Sequence, residues 1–155
     1  MGNARPRTYD VLGNVIKFLA YPDETDGKYC VMECIVPKGA GAPPNKHAGE
    51  METFYVLDGE VAFHVDGEDI LAQKGAFLTV PDGAVHAFSG VSEQSRLLIL
   101  NAPGVMHEKF FTGVGTELPE GTTQPLPPSG PPDVPALVAK ASSLGMTILA
   151  PDGAS

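Results

Sequence analysis

The sequence predicts an all-β domain: short strands closed into a small barrel or sandwich, followed by a tail with short helices. Three observations lead there. Eighteen glycines and fifteen prolines in 155 residues, with no tryptophan, favour tight turns over a helical bundle. Asp26-Gly27, Asp58-Gly59, Asp66-Gly67 and Asp82-Gly83 are Asp-Gly pairs, which tolerate the positive φ angles of hairpin turns. Between these turns lie short apolar segments at the spacing of an all-β fold.

In chain order the segments run near Asn14 to Ala20, Tyr29 to Val36, Thr53 to Leu57, Val61 to Val65, Ile70 to Ala72, Ala76 to Val80, Val85 to Phe88 and Arg96 to Asn101. After Pro103 the pattern changes. A short helix is expected around His107 to Thr112, with Phe110 and Phe111 as its apolar handle, and Leu118 to Pro135 reads as a proline-rich linker. Asp133 can N-cap a helix from Val134 to Leu144, which Gly145 would stop, and an apolar segment follows at Met146 to Leu149. Residues 1–102 are thus expected to form the barrel. Residues 103–155 form a tail packing on it or on a partner subunit.

Composition narrows the function classes. A hydrophobic content of 43% is enough to fill one core. A formal net charge of −9 leaves no basic stripe for nucleic acid or an anionic membrane, so a small-molecule substrate is the expected partner. Residues 1–10 carry two arginines but no apolar stretch typical of a signal peptide, and no apolar run approaches a membrane span. Met1-Gly2 is followed by Pro6 where a myristoylation signal needs Ser or Thr. A cytoplasmic protein is expected. Cys30 and Cys34 would lie on one face of a strand about 13 Å apart at ~3.3 Å per residue, too far to bridge each other. They read as buried free thiols in a reducing compartment.

His47 and His86 sit beside turn-forming Gly and Pro, and His47 lies close to Glu52 in sequence. Two imidazoles and a carboxylate are a donor set for a divalent transition metal that leaves coordination positions open. On a strand entered at Glu52, Phe54 and Val56 share its face; on a later strand His86 and Phe88 share one. If both faces point inward, the ligands meet at the floor of an apolar pocket, where Phe54, Val56 and Phe88 would contact substrate. Met32, Cys34 and Val36 form a period-two apolar face, and Met32 is a further candidate for the pocket wall. His64 alternates out of phase with its apolar neighbours and reads as solvent-facing. His107, followed by Glu108 and Lys109, could reach the pocket mouth, but a surface helix residue is the favoured reading.

Two longer patterns carry a resemblance. The first runs from Gly39 through Asn45-Lys46-His47 and Glu52 to Gly59; the second runs from Gly75 through Pro81-Asp82-Gly83 and His86 to Gly90. Their spacing resembles the two conserved motifs of the cupin superfamily over roughly Val11 to Asn101. The resemblance implies a cupin β-barrel, a double-stranded β-helix of jelly-roll type, with His47, Glu52 and His86 as metal ligands. Where these cupins place their first histidine this chain has Asn45, which would be a fourth and weaker ligand, an outer hydrogen-bond partner or an open edge. A cupin that binds ligand without metal is the alternative.

Pro43-Pro44 ahead of the first motif, and Glu52-Thr53-Phe54-Tyr55-Val56-Leu57 after it, are similar to bacterial quercetinase-type dioxygenases. That similarity implies a metal-dependent oxygenase acting on a small aromatic or enolic hydroxylated substrate, with Glu52 as the catalytic carboxylate. The metal would be Fe, Mn, Ni, Co, Cu or Zn, and the assembly a homodimer. An O₂-independent isomerase, cyclase or lyase, or a non-catalytic small-molecule-binding cupin, stands beside it.

Overall fold

The computed structural model describes residues 5–149; the Met1-Gly2 dipeptide lies outside them. Among the described residues, twelve strands form two antiparallel sheets. The larger sheet contains β1 (Thr8–Val11), β2 (Asn14–Ala20), β3 (Cys30–Pro37), β5 (Met51–Asp58), β8 (Phe77–Val80), β10 (Gln94–Ala102) and β11 (Thr116–Glu117), in the order β11-β1-β2-β3-β10-β5-β8. The smaller one contains β4 (Gly41–His47), β6 (Glu60–Val65), β7 (Glu68–Gln73), β9 (His86–Gly90) and β12 (Met146–Ile148), in the order β12-β4-β9-β6-β7. Non-sequential neighbours such as β3 and β10, or β4 and β9, give the jelly-roll-like winding of a double-stranded β-helix.

Period-two burial sets which residues meet between the sheets. In β3, Cys30, Met32, Cys34 and Val36 are buried while the residues between them are not, and in β5 the same holds for Glu52, Phe54 and Val56. Val61 and Phe63 of β6 close the same core from the other sheet. Phe54 stacks in tilted contact with Phe63 and edge-on with Phe88, at 5.0 and 5.5 Å between ring centroids. Cys30 and Cys34 are free thiols inside this core. His64 faces outward and pairs with exposed Asp69 at 2.8 Å.

Strand β4 has no strand signature in its sequence, Gly-Ala-Pro-Pro-Asn-Lys-His. Proline cannot donate to a ladder, and the β4–β9 register shifts between Ala42 and Asn45, where Pro43 and Pro44 fall. The irregularity lets the chain pair on both sides of two prolines. It also sets Asn45 opposite His86.

The tail folds back on the barrel. Helix α1 (Val105–Val114) follows β10, and helix α2 (Val134–Ser143) is capped by the Asp133 carboxylate, which accepts from the Ala136 amide at 3.1 Å. Strand β12 pairs antiparallel with β4, placing Met146 opposite His47 and Ile148 opposite Asn45. Phe110, Ala141 and Met146 form a second small core, and Phe111 and Val114 pack against both cores. Among the described residues no helix is long and apolar enough to cross a membrane.

Candidate metal centre

Glu52 is the hub of the site. It is 6% exposed on the inward face of β5, and three imidazoles and one amide surround its carboxylate. His86 Nε2 lies 2.9 Å from Oε1 and His47 Nε2 3.7 Å from the same oxygen; His107 Nε2 lies 3.3 Å from Oε2, to which the Asn101 amide donates at 2.9 Å. His47, Glu52 and His107 each present a ligand-type atom, all within 4.8 Å of one another. The His47 ring is edge-on to both other imidazoles, 5.0 Å from that of His86 and 4.5 Å from that of His107.

The charges at the site are strongly coupled. Burial acts to raise the Glu52 pKa, but the positive charge and hydrogen bond of His107 outweigh it and hold the carboxyl well below its usual range. Burial likewise acts to lower His107, and the charges of Glu52 and Glu50 push it up to about 9 instead. His86 is raised by its hydrogen bond to Glu52 against the opposing effect of burial.

The residues fit a metal ion, and His47 is the reason. Its ring is buried, and neither Nδ1 nor Nε2 has a hydrogen-bond partner. An unpartnered buried imidazole costs roughly 1–3 kcal/mol, and an ion at the centre of the cluster would satisfy it.

Of the residues singled out from sequence, His47, Glu52 and His86 come together around the Glu52 carboxylate. Asn45 is buried beside them, but its Nδ2 donates to the Pro43 carbonyl at 2.9 Å and the His86 carbonyl at 3.2 Å. Phe54 and Phe88 line an apolar cavity that reaches Glu52 and His107, with Ile99 and Phe111 among its other walls. Val56 and Met32 do not line it; both are fully buried in the barrel core, and Cys34 takes the wall position on β3 instead.

His107 corrects the surface reading. It is 2% exposed and belongs to the site. The helical period of 3.6 residues puts it on the stripe formed by Phe110, Phe111 and Val114, so the apolar spacing outranks its charged neighbours Glu108 and Lys109. Glu50 escaped the sequence reading entirely. It is 5% exposed, and its carboxylate accepts from the Gly104, Met106 and His107 amides and meets His107 Nδ1 at 2.6 Å.

Comparison with known proteins agrees with this architecture. Residues 32–102 match the family model for the cupin domain. The barrel has the cupin fold. Quercetin 2,3-dioxygenase from Bacillus subtilis is 32% identical over 99 residues, which are 64% of this chain and 29% of that enzyme's length. The chain therefore matches less than a third of that relative. A predicted oxalate decarboxylase from Thermotoga maritima superposes with a TM-score of 0.59 at 21% identity, covering 63% of this chain and 92% of that one. A polyketide cyclase from Streptomyces resistomycificus does so with a TM-score of 0.53 at 19% identity, covering 64% and 70%. At such identities these two structures speak to the cupin fold alone.

Proposed function

We propose that this cupin is a metal-dependent oxygenase of the quercetinase type, acting on a small aromatic or enolic hydroxylated substrate. One observation carries the reading: Glu52 opens onto an apolar cavity while its carboxylate is ringed by imidazoles. The likeness to quercetin 2,3-dioxygenase supports it. When bound, a divalent transition metal held by the Glu52 carboxylate and the imidazoles around it would supply Lewis-acid and redox chemistry toward O₂.

The chain's own groups do the rest. Glu52 is the only carboxylate on the cavity wall among the described residues, so it is the group placed to accept a proton from an enolic hydroxyl. Phe54, Phe88 and Phe111 offer flat apolar surface to an aromatic ring and keep water out. Asn14, 4% exposed, is also on the wall; its Nδ2 donates to the Val11 and Gly41 carbonyls, and its Oδ1 has no partner. That free acceptor suits a second hydroxyl on the substrate. A hydroxylated aromatic answers both features.

The test is O₂ consumption and ring-opening absorbance with flavonols and related aromatic enols, after reconstitution with iron, manganese, nickel, cobalt, copper or zinc in turn. Glu52→Gln is expected to keep part of the metal and lose 10²–10⁴-fold in turnover, the usual share of a general base. No O₂ uptake with any such enol under any of those metals would refute the oxygenase reading. Turnover without O₂ uptake would move the assignment to an isomerase, cyclase or lyase.

A further inference from the structure

Asn45 occupies the place of the first motif's missing imidazole, and its amide nitrogen is turned to the backbone. Its Nδ2 ties the Pro43 and His86 carbonyls together, acting as a clip at the irregular crossing of β4 and β9. The same centre receives an imidazole from outside both motifs: His107, in the first turn of α1, brings Nε2 to 3.3 Å from Glu52 and its ring to 4.5 Å from that of His47. We propose that His107 is the metal ligand that replaces the one Asn45 denies the barrel, and that Glu50 is the positioning residue that delivers it. The inference rests on the metal-centre reading and names a ligand that neither motif contains.

Glu50 holds the helix and the ring together. Its Oε2 accepts from the Gly104 amide at 2.8 Å and the Met106 amide at 3.0 Å, fixing the start of α1. Its Oε1 meets His107 Nδ1 at 2.6 Å. With the Nδ1 proton donated to Glu50, a neutral His107 has its lone pair on Nε2, the nitrogen that faces Glu52 and His47. A carboxylate that donor-locks one ring nitrogen so that the other can bind metal is the arrangement by which ligating histidines are commonly oriented. Glu50 itself does not line the cavity, so it acts through His107 alone.

A salt-bridge role for His107, with no part in binding an ion, is the competing account, and ligand counting separates the two. Copper-loaded full-length protein is examined by pulsed electron paramagnetic resonance, which counts coordinated imidazoles, and zinc affinity is measured by chelator competition. His107→Gln should show one coordinated imidazole fewer than native protein and bind zinc at least 100-fold more weakly. Glu50→Gln, which keeps the buried shape, should retain the native count and bind zinc about 10 to 100-fold more weakly. An unchanged imidazole count in His107→Gln overturns the ligand assignment while leaving the metal reading intact; native affinity in Glu50→Gln overturns the positioning role. Native protein that binds neither copper nor zinc overturns both the inference and the reading beneath it.

Discussion

Gly104 links the stability of the fold to the geometry of the site, and replacing it with alanine tests that link. It precedes α1 with φ +95°, and a Cβ there would press into the Cys30 side chain while lying 2.9 Å from the Cys30 backbone nitrogen and 3.0 Å from the Asn101 carbonyl. A non-glycine residue in the left-handed region costs about 1–2 kcal/mol. Forcing a methyl against buried backbone costs about 1–3 kcal/mol more. Gly104→Ala should therefore lose about 2–5 kcal/mol in urea unfolding of the metal-free protein. Gly27 supplies the control: it has φ +73° with nothing within 4 Å of its would-be Cβ, so Gly27→Ala should lose only the backbone cost, about 1–2 kcal/mol. The excess at Gly104 must be relieved by moving the start of α1, which carries the Glu50 contacts and His107, so zinc affinity should fall in Gly104→Ala and stay native in Gly27→Ala. Equal stability losses in the two variants, or native zinc affinity in Gly104→Ala, would refute the coupling.

Asn45→Ala removes two hydrogen bonds donated by Nδ2 to backbone carbonyls, so it should cost about 1–3 kcal/mol of stability; with His107 as the ligand, metal stoichiometry should stay at the native value, and complete loss of metal would make Asn45 a ligand. Truncation after Asn101 strips β12 from the edge of β4 and takes Phe110, Phe111 and Met146 off the cavity and the second core, so dye binding to exposed apolar surface should rise and solubility fall. A truncated protein with native melting and no dye binding would show the tail to be dispensable. Burial pushes both thiols up to about 12, so Cys30 and Cys34 should resist alkylation at pH 8 in the folded protein and react on unfolding; rapid labelling of the native state would contradict their burial.

What was legible in the sequence followed from regular periods. Cys30-Val31-Met32-Glu33-Cys34 and Glu52-Thr53-Phe54-Tyr55-Val56 alternate cleanly, so strand positions and inward faces could be read directly, and with them the meeting of Glu52 and His86. Asp133 and Gly145 marked the ends of α2 for the same local reasons. Strand β4 was hidden because its ladder runs through Pro43 and Pro44, and only pairing with β9 and β12 makes it a strand. Val56 shares the face of Phe54 yet lies outside the cavity, since alternation fixes the face but not the depth along it. Glu50 was beyond sequence reasoning, because the groups it serves begin 54 residues later. His107 was within reach: its 3, 4 and 7-residue spacing to Phe110, Phe111 and Val114 marks an inward face, and its charged neighbours outweighed that signal.

The two buried carboxylates give the metal-free protein a pH signature of its own. The folded His107 value of about 9 lies above the ordinary 6.5, because Glu52 and Glu50 outweigh the opposing effect of burial. A group raised in this way contributes fully below about 6.5, and its contribution is lost as pH rises through about 9. Glu52 has the opposite sign: His107 outweighs burial and holds it well below 4.5, so its contribution is present above about 4.5 and lost on acidification. The metal-free protein should be most stable between about pH 4.5 and 6.5, and its melting temperature should fall between pH 6.5 and 8.5; near the top of that range the two thiols, which ionise around pH 8.5 in the unfolded chain, add to the fall in native protein and variant alike. Metal binding needs the imidazole neutral, so the loaded protein should hold or raise its melting temperature across the same range. His107→Gln removes one of the two raised imidazoles at Glu52 and should make the metal-free curve shallower from pH 6.5 to 8.5, leaving the contribution of His86. A native slope no steeper than that of the variant would show that His107 is not the imidazolium held between Glu50 and Glu52.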